Sequence, residues 1–231
     1  MQKAPALSVF FPAYNEEKNI ATTVENTLKI LPEIAKNFEI IVVNDGSTDD
    51  TEKVVKEVTS KNPKVKLINH QKNLGYGAAL KTGFYSAKFP LMTFTDADGQ
   101  FDFGQIKKFL EKIDDADLVI GYRKKRAEGF TRKLNAEGWR LLNFLLFGLK
   151  IKDIDCGFKL VKRQVFDKIP KLTSTGATIS AELLVKAKKA GFKILEVSVD
   201  HYPRKQGRPT GANLKVIIKA LLELFKLRFS L

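Results

Sequence analysis

The stretch Phe38-Glu39-Ile40-Ile41-Val42-Val43-Asn44-Asp45-Gly46-Ser47-Thr48-Asp49 passes from a continuous apolar run to a polar cluster within two residues. Four β-branched residues in a row, without alternation, read as a strand buried on both faces. Such strands belong to parallel sheets with helices on either side. Gly46 supplies a turn, and Thr48 or Asp49 is the expected cap of a following helix. Asp45 is then the first acid beyond the strand end.

The same reading extends in both directions. Leu7–Phe11, Val65–Ile68 and Leu91–Thr95 are further buried runs, and the intervals near 16–31, 49–60 and 75–88 carry helix-period spacing. A fifth run, Leu118–Gly121, follows a helical stretch at 102–114. Strand–helix alternation of this kind predicts an α/β fold, a Rossmann-like and mostly parallel sheet with helices on both faces. Beyond it come a basic loop over Tyr122–Thr131 and a helix over Arg132–Phe147. A turn and short strand follow around Asp153–Val161, then a helix over Ile179–Ala190 and a strand over Lys193–Val199. A polar loop, Asp200–Gly211, leads to a final amphipathic helix ending near Phe229. No repeat or Pro/Gly-rich linker interrupts the chain, which predicts one domain over 1–231.

Composition narrows the function. The 231 residues include 44% hydrophobic and 29% charged side chains, a globular balance with ample length for a core. One Cys and two His exclude a disulfide framework and make a zinc site improbable. The net charge of +14 is segregated. Residues 1–115 carry 15 Lys, no Arg and 16 acids, whereas residues 116–231 carry 25 Lys and Arg against 10 acids. Such segregation suggests that the second half meets an anion (nucleic acid, an anionic membrane surface or substrate phosphates), the alternative being a surface that serves solubility alone. No segment reaches the about 18 apolar residues of a membrane span. Met1–Glu17 lacks the pattern of a secretory signal, so a cytoplasmic protein is expected.

Ligands of open α/β sheets bind beyond the carboxyl ends of the strands. Three strands deliver acids or amides there: Pro12-Ala13-Tyr14-Asn15-Glu16-Glu17, Asn44-Asp45-Gly46-Ser47-Thr48-Asp49 and Asp96-Ala97-Asp98-Gly99-Gln100. Asp-x-Asp also occurs at 115–117 and 153–155, but only 96–98 directly follows a buried strand. Two carboxylates two residues apart, near an amide oxygen, suit a hard divalent cation with positions left for diphosphate oxygens. Asp45 is placed to accept from a nucleobase or ribose. Asn73-Leu74-Gly75-Tyr76-Gly77-Ala78-Ala79-Leu80 lacks the third Gly of a dinucleotide fingerprint and reads as a turn with close helix packing.

In this order the motifs resemble family 2 glycosyltransferases of the GT-A fold. Gly121-Tyr122-Arg123, Asp155-Cys156-Gly157-Phe158-Lys159-Leu160 and His201-Tyr202-Pro203-Arg204-Lys205-Gln206-Gly207 resemble the branch that makes dolichyl- or polyprenyl-phosphate mannose or glucose. The resemblance implies a nucleotide-sugar half over 1–120 and an acceptor half over 121–231. Pro12, Tyr14, Glu16, Asp45, Asp96 and Lys205 would hold the UDP- or GDP-hexose, and Asp96, Asp98 and Gln100 would ligate Mg²⁺ or Mn²⁺. Asp98, Arg204 and Arg123 would carry catalysis, Arg204 clamping the diphosphate. Arg123 and Arg132 would take the acceptor phosphate. A polyprenyl monophosphate is already an oxyanion, so inverting transfer to it needs no general base. A hydroxyl acceptor would need one, and Glu182 is the fallback.

In 213–229 the charges Lys215, Lys219, Glu223 and Lys226 form one stripe on an otherwise apolar helix, and Lys133, Glu137 and Arg140 do so on the 132–147 helix. Such helices lie on an anionic membrane, here the cytoplasmic face, or pack on the sheet; a homo-oligomer contact would use the same surface. Two other readings stay open. One is a family 2 enzyme acting on a carbohydrate or protein hydroxyl in cell-envelope polysaccharide or glycan synthesis. The other is a basic nucleic-acid-binding protein, against which stands the absence of aromatics interleaved with Lys/Arg.

Overall fold

A computed structural model describes residues 3–124, 130–204, 206 and 214–230; the side chains of 130–134 and 214–216 are not described. The apolar runs become strands β1 (Ala4–Ala13), β2 (Ala35–Asn44), β3 (Val65–Asn69), β4 (Leu91–Phe94) and β5 (Leu118–Arg123). The intervals become helices α1 (Ile20–Ile34), α2 (Thr51–Lys61) and α3 (Tyr76–Ser86). The stretch expected as one helix over 102–114 is broken into two 3₁₀ turns around α4 (Ile106–Leu110). Then come α5 (Phe130–Phe147), β6 (Lys159–Lys162), α6 (Arg163–Lys168), α7 (Ile179–Lys189), β7 (Ile194–Val199) and α8 (Leu214–Ser230). The short α6 has no counterpart in the sequence reading.

The seven strands form one sheet in the order β3-β2-β1-β4-β6-β5-β7. β1, β2, β3 and β4 pair in parallel, as do β5 and β7. β6 runs antiparallel between β4 and β5. This is the mostly parallel sheet expected from the sequence. Burial explains the unbroken apolar runs, since β1 sends Leu7, Val9 and Phe11 into one core layer and Phe10 into the other. The second layer is built on rings: Phe10 lies 4.7 Å from Phe84 of α3 and 5.4 Å from Phe94 of β4. That packing fixes α3 against the sheet, and so fixes where its first turn meets the strand ends.

The two amphipathic helices turn an unexpected face outward. On α8, Ala220, Leu224 and Leu227 are buried, and Glu223 also faces the protein, accepting from the 175–176 backbone. Ile218, Leu222, Phe225 and Phe229 stand exposed at 46–88%. On α5, Leu141, Phe144 and Leu145 are likewise exposed. Among the described residues no helix is long and apolar enough to cross a membrane.

Candidate active site

The loops after β1 and β2 are stitched together by short polar side chains. Asn15, a non-glycine residue at φ 57°, accepts the Thr48 backbone N–H on its Oδ1 at 2.8 Å, and its own N–H donates to Ser47 Oγ at 2.9 Å. Glu16 N–H donates to Thr51 Oγ1 at 2.8 Å. Asp49 Oδ1 accepts from Thr51 N–H at 3.0 Å, but the N-cap of α2 is Asp50, not the expected Thr48 or Asp49, and its side chain makes no cap bond. Pro12 is buried at the end of β1, while Tyr14 stands 37% exposed at the rim.

Asp45 is turned inward rather than into the open edge. It is 3% exposed, and its Oδ1 takes His70 Nδ1 at 2.6 Å and Leu74 N–H at 3.0 Å. Its Oδ2 takes Gly75 N–H at 2.9 Å. Across the ring, His70 Nε2 lies 2.9 Å from the Thr82 hydroxyl. The carboxylate thus ties the end of β2 to the loop that enters α3.

Asp96 lies deep at the end of β4, where the Tyr76 hydroxyl donates to its Oδ1 at 2.9 Å. Burial, and after it the charge of Asp98, pushes the Asp96 carboxyl up to about 7, against the pull of Tyr76, Arg123 and Lys159. Lys159 is itself fully buried, donating to Cys156 O and lying 3.3 Å from Ser180 Oγ. Burial lowers its pKa. Cys156 is an inert buried thiol, pushed up to about 12 by burial.

Arg204 closes the site from the second half of the chain. Its Nη2 meets Glu16 Oε1 at 2.6 Å and its Nη1 lies 3.5 Å from Asp98 Oδ2, so one guanidinium spans acids from two loops. Glu16 is raised by burial, although Asn19 and Arg204 pull it back. Gln100 brings Arg204 there. Its side chain donates to Tyr202 O at 2.9 Å, and its carbonyl accepts Tyr202 N–H at 2.9 Å.

The other expected site residues are placed differently. Arg123 gives its fork to Asp153, with Nε at 2.7 Å and Nη2 at 2.9 Å, and is 9% exposed. In this structure it anchors the 153–157 loop rather than facing an open acceptor position. The Arg132 side chain and Lys205 lie outside the described residues. Glu182 is an ion-paired anchor, not a poised base. Its carboxylate meets Lys186 Nζ at 2.6 Å and accepts the Thr173 and Ser174 N–H groups at 2.9 and 2.8 Å. Burial acts to raise its pKa, but these donors outweigh it and hold the group below the ordinary value of 4.5.

A depressed folded-state pKa contributes stability that is present above the unfolded value and lost as pH falls through the folded one. Glu182→Gln is therefore expected to cost about 1–3 kcal/mol at neutral pH. The gap from the native protein should narrow as denaturation midpoints are followed into acid below 4.5. A gap that widens in acid would contradict the assignment.

Among the described residues no group of three or more His, Cys, Asp or Glu side chains is set to hold a metal ion. The acid edge nonetheless fits one. Two carboxylates, one of them pushed up to about 7 by burial and by the other's charge, make a site short of positive charge. A hard cation that takes further ligands from a diphosphate suits that donor set.

Sequence reasoning passed over Tyr76 and His70. His70 follows a strand end at the same edge as Asp45, so the rule that found Asp45 could have found it. Tyr76 sits inside a motif read only as a turn.

Comparison with known proteins finds relatives of this chain. The family described as glycosyl transferase family 2 matches residues 8–170. The chain is 32% identical to a dolichyl-phosphate beta-glucosyltransferase of Dictyostelium discoideum, over 84% of this chain and 65% of that protein. It is 33% identical to dolichyl-phosphate beta-glucosyltransferase ALG5D of Trichomonas vaginalis, over 96% and 72%. It therefore spans about two thirds of the length of these relatives. In fold it superposes on glucosyl-3-phosphoglycerate synthase of Mycobacterium tuberculosis, solved with Mn²⁺, UDP-glucose and phosphoglyceric acid. The TM-score is 0.76 at 18% identity, covering 97% of this chain and 80% of that one.

Proposed function

Because this chain belongs to glycosyltransferase family 2, we propose that it moves a hexose from a nucleoside-diphosphate sugar to a polyprenyl phosphate, with inversion. The observation that carries the reading is the convergence of Glu16 and Asp98 on the guanidinium of Arg204, with Asp96 close enough to Asp98 to feel its charge. In this scheme an acceptor phosphate oxygen attacks the anomeric carbon from the face opposite the leaving group. The bond from that carbon to the donor's β-phosphate breaks, and the nucleoside diphosphate departs with the electron pair. No proton moves, which accords with a site in which the fallback base Glu182 is ion-paired.

Residues 1–120 form the donor half of the proposal and 121–231 the acceptor half. Pro12, Tyr14, Glu16 and Lys205 line the nucleotide, and Asp45 shapes the 70–75 loop beside it. Arg204 leaves Glu16 for the diphosphate when donor binds. Arg123 and Arg132 take the acceptor phosphate, Arg123 exchanging Asp153 for it. Asp96, Asp98 and Gln100 would hold Mg²⁺ or Mn²⁺, which, when bound, neutralises charge on the departing diphosphate. The relatives named for dolichyl phosphate, and a dodecaprenyl-phosphate galacturonate synthase of Rhizobium johnstonii at 27% identity, support the lipid-phosphate class.

The test is transfer from a panel of UDP- and GDP-hexoses to a short polyprenyl phosphate, with and without Mn²⁺, the product's anomeric configuration read by NMR. Transfer to soluble sugar hydroxyls but never to the lipid phosphate would overturn the acceptor; retained configuration would overturn the single displacement.

The same reading includes peripheral attachment to an anionic bilayer. The outward ridge of α8 and the exposed leucines of α5 are apolar, in a half of the chain with net charge +15. Lys150 and Lys152 share a groove with Leu141 and Phe144. Burying an exposed Leu or Phe is worth about 1.5–3 kcal/mol. Leu222→Asp together with Phe229→Asp is thus expected to weaken co-sedimentation with phosphatidylglycerol vesicles by at least about tenfold, while turnover of a water-soluble acceptor is unchanged. Undiminished sedimentation would remove α8 from the membrane contact. A native protein that dimerises in solution through this ridge would favour a second copy as its occupant.

A further inference from the structure

Four consecutive backbone N–H groups are taken by two carboxylates from different helices. Glu182 of α7 accepts from Thr173 and Ser174 at 2.9 and 2.8 Å. Glu223 of α8 accepts from the backbone N–H and the hydroxyl of Thr175, each at 3.1 Å, and from Gly176 N–H at 3.3 Å. The segment so held leans on the first turn of α3. Gly77 N–H donates to Thr175 O at 2.9 Å. A β-carbon at Gly75 would lie 2.5 Å from that same oxygen, and one at Gly77 would lie 2.7 Å from Gly176 O. This close approach leaves no room for adjustment. The same turn presents the Leu74 and Gly75 N–H groups to Asp45 and the Tyr76 hydroxyl to Asp96.

We propose that Glu223 is a positioning residue for the transfer reaction. From α8, outside the donor site, it holds Thr175 and Gly176 against Gly75–Gly77, and through that contact sets the Tyr76 hydroxyl on Asp96. A separate tie, from the Thr178 hydroxyl to Ala220 O at 3.0 Å, keeps α8 docked when residue 223 changes, so the effect of substitution is local. The kinetic consequence rests on the glycosyl-transfer reading; the positional one does not.

The experiment compares the full chain with Glu223→Gln and Thr175→Ala. Hydrogen exchange is read on peptides covering 74–82, with α2 peptides as the internal control. In Glu223→Gln, amides 74–78 are expected to exchange roughly tenfold faster while α2 and the melting temperature stay near native values. With UDP-glucose and Mn²⁺ as donor probe, kcat/KM for donor should fall roughly tenfold at unchanged acceptor KM, the scale on which outer-sphere partners act. Thr175→Ala keeps both backbone donors and should show a smaller change in the same direction. Native exchange at 74–78 in folded Glu223→Gln would overturn the proposal. So would donor and acceptor KM rising together with a general loss of protection. If the native protein transfers no sugar, the proposed function fails while the exchange measurement still decides the role of Glu223.

Discussion

Gly157→Ala is expected to lower sugar transfer by roughly 100-fold in a protein that still folds, because it moves one carboxylate. A β-carbon at position 157 would lie 2.2 Å from Asp96 Oδ2, 2.6 Å from its Cγ and 2.8 Å from its Oδ1. Asp96 is partly buried, and its Oδ1 is held by the Tyr76 hydroxyl at 2.9 Å. To clear that β-carbon the carboxylate must shift or rotate, and either movement disturbs the hydrogen bond and the juxtaposition with Asp98. Overpacking of this kind costs about 1–3 kcal/mol, small enough to leave the chain folded at room temperature. The cause is checked by a double-mutant cycle on denaturation midpoints. Gly157→Ala should destabilise the native protein but do little in an Asp96→Ala background, where the clashing atoms are gone. Equal destabilisation in both backgrounds would mean that the glycine serves the backbone and not Asp96.

That glycine illustrates which parts of the site were legible in the sequence. Asp96 and Asp98 could be found because a wholly buried strand must end, and polar residues directly after such an end fall at the loop edge, whichever way they then turn. The parallel sheet followed from the same runs, since Ile40–Val43 has no polar face to give to water. Partners chosen across the fold could not be found in this way. Nothing local in the sequence says that Tyr76 reaches Asp96, 20 residues on, or that Arg204 meets Glu16, 188 residues away. The antiparallel direction of β6 was equally hidden, because a four-residue strand has the same side-chain pattern either way. On α8 the charge stripe was read correctly as a stripe. Its role was not readable, because Glu223 faces backbone donors of a segment 47 residues earlier, so that Ala220, Leu224 and Leu227 are covered beside it and the rest of the apolar side is exposed. The stripe on its own carries no information about which face is covered.

Arg204→Ala is expected to reduce kcat/KM for the donor by about 10²–10³, the loss typical when one group that stabilises developing charge is removed. Arg204→Lys should restore only part of it. The guanidinium spans two acids: Nη2 sits 2.6 Å from Glu16 and Nη1 3.5 Å from Asp98, while Nε donates to Gln206 O at 2.6 Å. A lysine ammonium keeps the charge but is a single point; it can meet Glu16 or Asp98, not both, and cannot offer paired donors to a diphosphate. Truncation to alanine leaves Glu16 and Asp98 facing each other without their cation, and the Glu16 carboxyl, already raised by burial, loses one of the groups holding it down. Donor binding and chemistry should therefore both suffer. Calorimetry with a nucleoside diphosphate measures the first, and single-turnover transfer at saturating donor measures the second. If lysine restored native rates, charge alone would suffice and the paired-donor role would be wrong. If alanine weakened diphosphate binding while leaving the single-turnover rate intact, Arg204 would be a donor-binding residue only, with no part in stabilising the leaving group.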